Sequence, residues 1–279
     1  MQRELLVTLI FLVNFNFQLF AQGNLLITPK RVVFEGNNQK AELNLMNTGT
    51  DSATYSVSFR QYNMTEQGKL KLIEKPDTTQ MIAEPYLRVF PRQVTLAPGE
   101  GQVIMLQCRR ATDMIAGEYR SHLWFRNERN YEPQGKEKPS LDTNQMSVSV
   151  TAIFGITIPV IIRVGEVNLT TSLSDLNLET KQDTLLLLKL AINRKGNISA
   201  YGNLTVEYIP IKGKPYQIGS LSCLGVYTNI TKRLVSIRLN KTLGQDLKSG
   251  KLKVRFTSPE DTKYVVYAEA ELDLGITNK

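Results

Sequence analysis

The sequence predicts an all-β protein made of two β-sandwiches in tandem. Short runs rich in Val, Ile, Leu, Tyr and Thr alternate apolar with polar residues. Gly, Pro, Asn and Asp bound these runs at intervals of roughly ten residues, the spacing of sandwich strands. No long stretch carries a helical period. With 279 residues, 42% of them hydrophobic and 22% charged, the chain can build a core in each half.

The elements follow in order. Ala41-Glu42-Leu43-Asn44-Leu45 alternates and stops at the turn signal Asn47-Thr48-Gly49. Tyr55-Ser56-Val57-Ser58-Phe59 alternates again. Ala97-Pro98-Gly99-Glu100 reads as a turn into a strand over 103–106, and Gly117 opens another through Leu123, Trp124 and Phe125. A polar loop, 128–145, precedes the longest alternating run, 146–163. The pattern restarts after Val164-Gly165, with strands predicted over 185–192, 203–209, 234–239, 252–256 and 264–274. The boundary between units is therefore placed at Val164, giving units 22–164 and 165–279.

Residues 1–21 read as an export signal. Arg3 gives a short basic start, 5–13 are apolar, and Leu19-Phe20-Ala21 ends in a small residue. Asn14, Asn16 and Gln18 leave the run too short to span a bilayer, and no later stretch is apolar enough. An exported chain without stable membrane insertion is expected. The formal charge of +8 comes from Lys and Arg spread over strands and loops, which reads as a solvated basic surface. Nucleic acid is not an expected partner. Cys108 and Cys223 stand in separate halves and are expected to be small, buried core residues.

Two segments invite a functional reading. In 146–154, Met146, Val148, Val150, Ala152 and Phe154 share one face of a strand, with Ser147, Ser149 and Thr151 on the other. That is the pattern of an ordinary half-buried strand, or of an edge strand whose apolar stripe serves a partner. Arg31 precedes Val32-Val33-Phe34 behind Pro29. It either lies flat on the surface or takes an anionic partner, for which its planar fork suits a carboxylate.

Arg31-Val32-Val33-Phe34-Glu35-Gly36, 41–47, Leu96-Ala97-Pro98-Gly99-Glu100 and 117–123 together resemble the first domain of the PapD-like periplasmic pilus chaperones. The pieces keep that family's order and spacing over about residues 24–163. In the second half, Arg194-Lys195-Gly196-Asn197 and Ala200-Tyr201-Gly202-Asn203 are similar to its smaller domain. The resemblance implies two immunoglobulin-like β-sandwich domains in a boomerang-like arrangement, located in the periplasm. It implies partners too: pilus or fimbrial subunits lacking their last strand, and an outer-membrane usher.

By that resemblance the chaperone lends strand 146–154 to a subunit's groove, through Met146, Val148, Val150, Ala152 and Phe154. Arg31 would clamp the subunit's terminal carboxylate, and Arg163 would tie the domains together. The family's second clamp residue, a lysine, is replaced by Pro159, and Lys30 is expected on the opposite face from Arg31. Glu118 is the candidate acid for Arg163.

Catalytic chemistry is not expected, nor any cofactor or metal. His122 is the sole histidine and reads as a packed or surface residue. The Asn-x-Ser/Thr tripeptides at Asn63, Asn168, Asn197, Asn203, Asn229 and Asn240 read as products of Asn- and Thr-rich turns. The competing function is a structural or adhesive surface protein whose two modules bind carbohydrate or protein; an exposed aromatic platform would favour it.

Overall fold

A computed structural model describes residues 25–77, 79–128, 155–181, 185–240, 247, 249–259 and 262–275. The expected export signal, the expected lending strand with Met146, Val148, Val150, Ala152 and Phe154, and the polar loop beyond Glu128 lie outside the described residues.

The first half contributes strands β1 (Leu25–Thr28), β2 (Val32–Phe34), β3 (Lys40–Asn47), β4 (Ala53–Met64), β5 (Leu70–Ile73), β6 (Leu87–Phe90), β7 (Gln93–Leu96), β8 (Gly101–Cys108), β9 (Gly117–Asn127) and β10 (Gly155–Val164). They form two sheets. One runs β1-β3-β8-β6; the other runs β2-β10-β9-β4-β5, with β7 also on β4. The first strand is thus split, β1 on one sheet and β2 on the other. With the four-stranded sheet facing a sheet in which the last strand, β10, lies between β2 and β9, this is an immunoglobulin-like plan.

Alternation fills the space between the sheets. Leu43 and Leu45 of β3, Ile104 and Leu106 of β8, Leu123 and Phe125 of β9, and Ile158, Val160 and Ile162 of β10 all join one buried cluster. Truncating any of them to Ala should cost about 2–5 kcal/mol. The turn after β3 is held by Asn47, which is fully buried. Its Nδ2 donates to Asp51 O at 2.8 Å and Leu96 O at 3.0 Å, and its Oδ1 accepts from Gly49 N at 2.9 Å.

The second half adds β11 (Leu169–Lys181), β12 (Leu185–Gly196), β13 (Ala200–Ile209), β14 (Tyr216–Val226), β15 (Lys232–Arg238), β16 (Gly250–Thr257) and β17 (Val266–Leu274). Sheets β11-β12-β15 and β14-β13-β16-β17 enclose a separate cluster that includes Leu188, Leu204, Val206, Ile237, Val254 and Phe256. Among the described residues no helix is long and apolar enough to cross a membrane.

Several expectations need correction. The stretch from Lys30 onward is not one strand: Pro29 and Lys30 form a bend where the chain changes sheets, and β2 begins only at Val32. Cys108 is buried, but Cys223 is exposed. The pairing of β13 with β14 shifts between Gly202/Leu224 and Leu204/Leu221, so Ser222 and Cys223 together stand opposite Asn203, one residue extra. Cys223 sits at φ 60° in that bulge, its N–H donating to Asn203 Oδ1 at 3.0 Å. Trp124 is half-buried, as the immediate neighbour of core residues rather than one of them. It points out of the sheet, where the Arg60 guanidinium lies 4.2 Å from its ring centre. Its neighbours Leu123 and Phe125 fill the core instead. The last strand starts at Val266, two residues later than alternation predicts.

Candidate functional site

β10 carries the first half of the site. Along its whole length it pairs antiparallel with β9, from Gly155↔Arg126 to Val164↔Gly117. On its other side β2 runs parallel, and the pairs are Val160↔Val32, Ile161↔Val33 and Ile162↔Phe34. Among the described residues, Gly155 to Pro159 therefore have a neighbour on one side only. Ile156 and Ile158 of this segment turn toward the core, so its side chains are anchored while one backbone edge is open.

The second half is the hollow between the sandwiches, beside the closed end of that edge. A cleft of about 300 Å³ is lined by Arg31, Arg120, Pro159, Tyr201, Tyr227 and Arg233, with Lys30 at its side. Lys30 reaches the cleft because it lies in the bend, where strand alternation does not apply. Pro159 lies there as well and supplies no charge.

Arg31 stacks on Tyr201, its guanidinium 4.2 Å from the ring centre. Its Nε and Nη2 are buried with no hydrogen-bond partner among the described residues. Burial first, then the Arg120 charge, lowers its pKa to about 10, so it remains a cation at neutral pH.

Arg120, on β9, stacks 3.8 Å from the centre of the Tyr227 ring. Its Nη2 donates to Glu118 Oε1 at 2.5 Å and to Ser199 Oγ at 2.8 Å. Glu118 is 1% exposed. Its Oε2 accepts from Ser199 N at 3.0 Å and Ser199 Oγ at 2.8 Å. Burial alone would raise the Glu118 pKa; Arg120 and the Ser199 bonds outweigh it and hold the carboxyl below its ordinary value.

Arg163 Nε lies 3.8 Å from Glu118 Oε2, and its Nη1 lies 3.2 Å from Glu35 Oε2. Both acids belong to the first sandwich. The bonds of this cluster that cross to the second sandwich run from Glu118 and Arg120 to Ser199, so Arg163 reaches it through Glu118.

More contacts cross. His122 Nε2 and Tyr227 Oη share a hydrogen bond at 2.9 Å. The β4–β5 hairpin leans on the second sandwich: Asn229 Nδ2 donates to Met64 O at 2.9 Å, Asn229 Oδ1 accepts from Met64 N at 3.2 Å, and Leu234 N donates to Glu66 O at 2.7 Å. Gly68, at φ +77°, forms the hairpin tip and leaves room for Arg233; a Cβ there would lie 2.5 Å from Arg233 Nη2. Arg194 organises the facing loops. Its Nη1 donates to Gly196 O at 2.7 Å and Ile198 O at 2.9 Å, its Nε to Ile230 O at 3.1 Å and its Nη2 to Thr228 O at 3.2 Å.

The fold thus brings Arg31 and Arg163 to the same boundary, and Glu118 acts electrostatically on the first and pairs with the second. Sequence reasoning missed Arg120 and Arg233. Arg120 had a signal, being a charged residue on the outward face of a strand otherwise buried; Arg233 had none, because its place depends on packing between the halves.

No protein-family model matches the chain, and no curated protein matches it. Among solved structures the chain is similar to the YadV chaperone, at 13% identity and a TM-score of 0.43, covering 90% of this chain and 100% of that one. It is similar to the CupB2 chaperone of Pseudomonas aeruginosa at 13% identity and a TM-score of 0.42, with the same coverage of 90% and 100%. It is also similar to the E. coli chaperone DraB at 11% identity and a TM-score of 0.40, covering 90% and 96%.

Proposed function

We propose that this protein is a periplasmic chaperone that caps subunits of a pilus or related surface fibre by lending them a strand, and delivers them for assembly. The observation that carries the reading is the half-open β10: Gly155 to Pro159 have β9 on one side and no described strand on the other. The stripe Met146, Val148, Val150, Ala152 and Phe154 precedes this segment in the same alternation phase as Ile156 and Ile158. A subunit missing a strand exposes apolar surface and an unpaired edge, both of which promote aggregation. A lent edge satisfies its backbone, and the apolar stripe fills its groove.

The cleft supports the same reading. Arg31 offers a partnerless fork near the end of the open edge, where the terminus of an added strand would come to rest. Residues 1–21 act as the export signal, and the two units divide at Val164. No nucleotide is required, because the final contact between subunits displaces the lent strand. The aromatic run of β9 offers the adhesive alternative no platform: Tyr119 and Phe125 are buried, and Trp124 lies under Arg60.

The test is co-expression with pilin-like subunits followed by affinity capture. The native chain should hold a subunit in a one-to-one complex. Val150→Glu with Phe154→Glu should abolish capture while the circular dichroism spectrum stays native. Unchanged capture by the double variant would sink the strand-lending assignment.

A further inference from the structure

We propose that Trp124 is a positioning residue for the lent strand: its ring, seated on the backbone of Gly155, holds the open-edged stretch of β10 in register on β9 before a subunit arrives. The inference rests on the chaperone reading and deepens it.

Gly155 heads β10 and pairs with Arg126 of β9, while Trp124 pairs with Thr157. Gly155 and Trp124 are therefore diagonal neighbours, a separation that a large ring spans. A Cβ on Gly155 would overlap Trp124 Nε1 and lie 3.1 Å from its Cδ1 and Cε2. The indole thus occupies the place of the missing side chain. Gly155 has no positive φ, so glycine serves here for room rather than for a left-handed turn.

Glycine by itself weakens a strand. An aromatic laid over it from the next strand covers the bare backbone and pins the register. The ring is itself held in place. The Arg60 guanidinium lies 4.2 Å from its centre and that of Arg126 5.8 Å. Arg126 Nε lies 3.8 Å from Glu128 Oε1, which accepts from Ser56 Oγ at 2.5 Å.

The place of this contact gives it its role. Val160 to Ile162 are held by β2 as well as β9, but Gly155 to Pro159 have β9 alone among the described residues. A stretch held on one side frays, and a partner must then order it again at an entropic cost. A slip of one residue would turn Ile156 and Ile158 out of the core. Trp124 acts where β10 has least other support, at the end that adjoins residues 146–154.

Hydrogen exchange on the free chain and co-expression capture of a pilin-like subunit test this together. Trp124→Leu keeps apolar bulk but loses the flat ring. Amides of 155–158 should then exchange about fivefold faster, the order that one cross-strand aromatic pair supplies, while 160–162 keep their protection. Capture should fall by about the same factor. Trp124→Phe should recover most of both, because a flat ring again covers the glycine; a merely space-filling tryptophan would be replaced equally well by leucine. Gly155→Ala should give the same local loss with the tryptophan present. The emission of this sole tryptophan should move to longer wavelength as the indole is displaced.

Unchanged exchange in 155–158 with leucine, or equal quickening in 160–162, overturns the proposal. Full capture by a variant whose edge has frayed overturns it too. If the native chain captures a subunit in any of these cases, only this inference falls. If the native chain captures none, the chaperone reading falls and this inference falls with it.

Discussion

His122 Nε2 and Tyr227 Oη meet at 2.9 Å across the boundary between the sandwiches, and both residues are buried. The imidazole also meets Tyr62 edge-on, with ring centres 5.0 Å apart. Burial, then the nearby Arg120 charge, push the His122 pKa down to about 3. The sole histidine of the chain is therefore a neutral strut at neutral pH.

That strut has a pH signature. The folded pKa lies below the unfolded one, so the unfolded chain binds more protons between about pH 6.5 and pH 3. The His122 contribution is complete above this window and is lost as pH falls through it, at up to about 1.4 kcal/mol per pH unit. His122→Gln should show a shallower loss of urea stability between pH 7 and pH 4 than the native chain. Parallel stability curves for the two proteins would show that the imidazole is not buried as described.

Glu118 should be the most sensitive polar residue of the boundary. Glu118→Gln keeps the shape but removes the charge between Arg120 and Arg163, and sets an amide N–H₂ against their donors. Leaving buried guanidinium groups without their counter-charge should cost about 3–5 kcal/mol. At about 2–4 °C per kcal/mol, the melting temperature should fall by roughly 6–20 °C. A shift of under about 2 °C in calorimetry, less than 1 kcal/mol, would mean that water or local movement already screens the site.

These two residues also show what the sequence made legible. Alternation located most strands, because a period of two is local information and the core reads it directly. β11 and β14 were not legible: β14 carries Gly219, Ser220, Ser222 and Gly225, with register shifts, and β11 is polar with a bulge at Asp175. Glu118 could be suggested for Arg163 because β9 and β10 pair them directly, Arg163↔Glu118. Tyr201, Tyr227, Ser199 and Arg233 could not be placed from sequence, since each gains its meaning from the packing of one half on the other. Lys30 was misplaced because a bend interrupted the alternation on which its direction depended.

Arg194 tests whether the second sandwich presents a rigid face. Its guanidinium donates to four backbone carbonyls, of Gly196, Ile198, Thr228 and Ile230. A lysine keeps the charge but cannot span that set with three donors on one atom. Arg194→Lys should cost about 2–4 kcal/mol, and hydrogen exchange should quicken in residues 196–200 and 227–231. Unchanged protection in both loops would mean that they hold their shape without the arginine.

Arg31 separates function from stability more cleanly than any other residue of the cleft. Most buried charged groups stabilise through their partners, but Arg31 Nε and Nη2 have none among the described residues. Its desolvation is offset in the free protein chiefly by stacking on Tyr201, and its lowered pKa of about 10 reflects that burial first. Arg31→Ala should therefore leave the melting temperature unchanged or slightly raised, while the yield of captured subunit falls at least tenfold, about 1.4 kcal/mol. Arg31→Lys should recover part of the yield, because it restores the charge without the fork. Equal capture by the alanine variant would show that Arg31 only packs against Tyr201. A collapse in melting temperature would show instead that its donors are satisfied in the free protein, and that the cleft is a closed interface rather than a receptor.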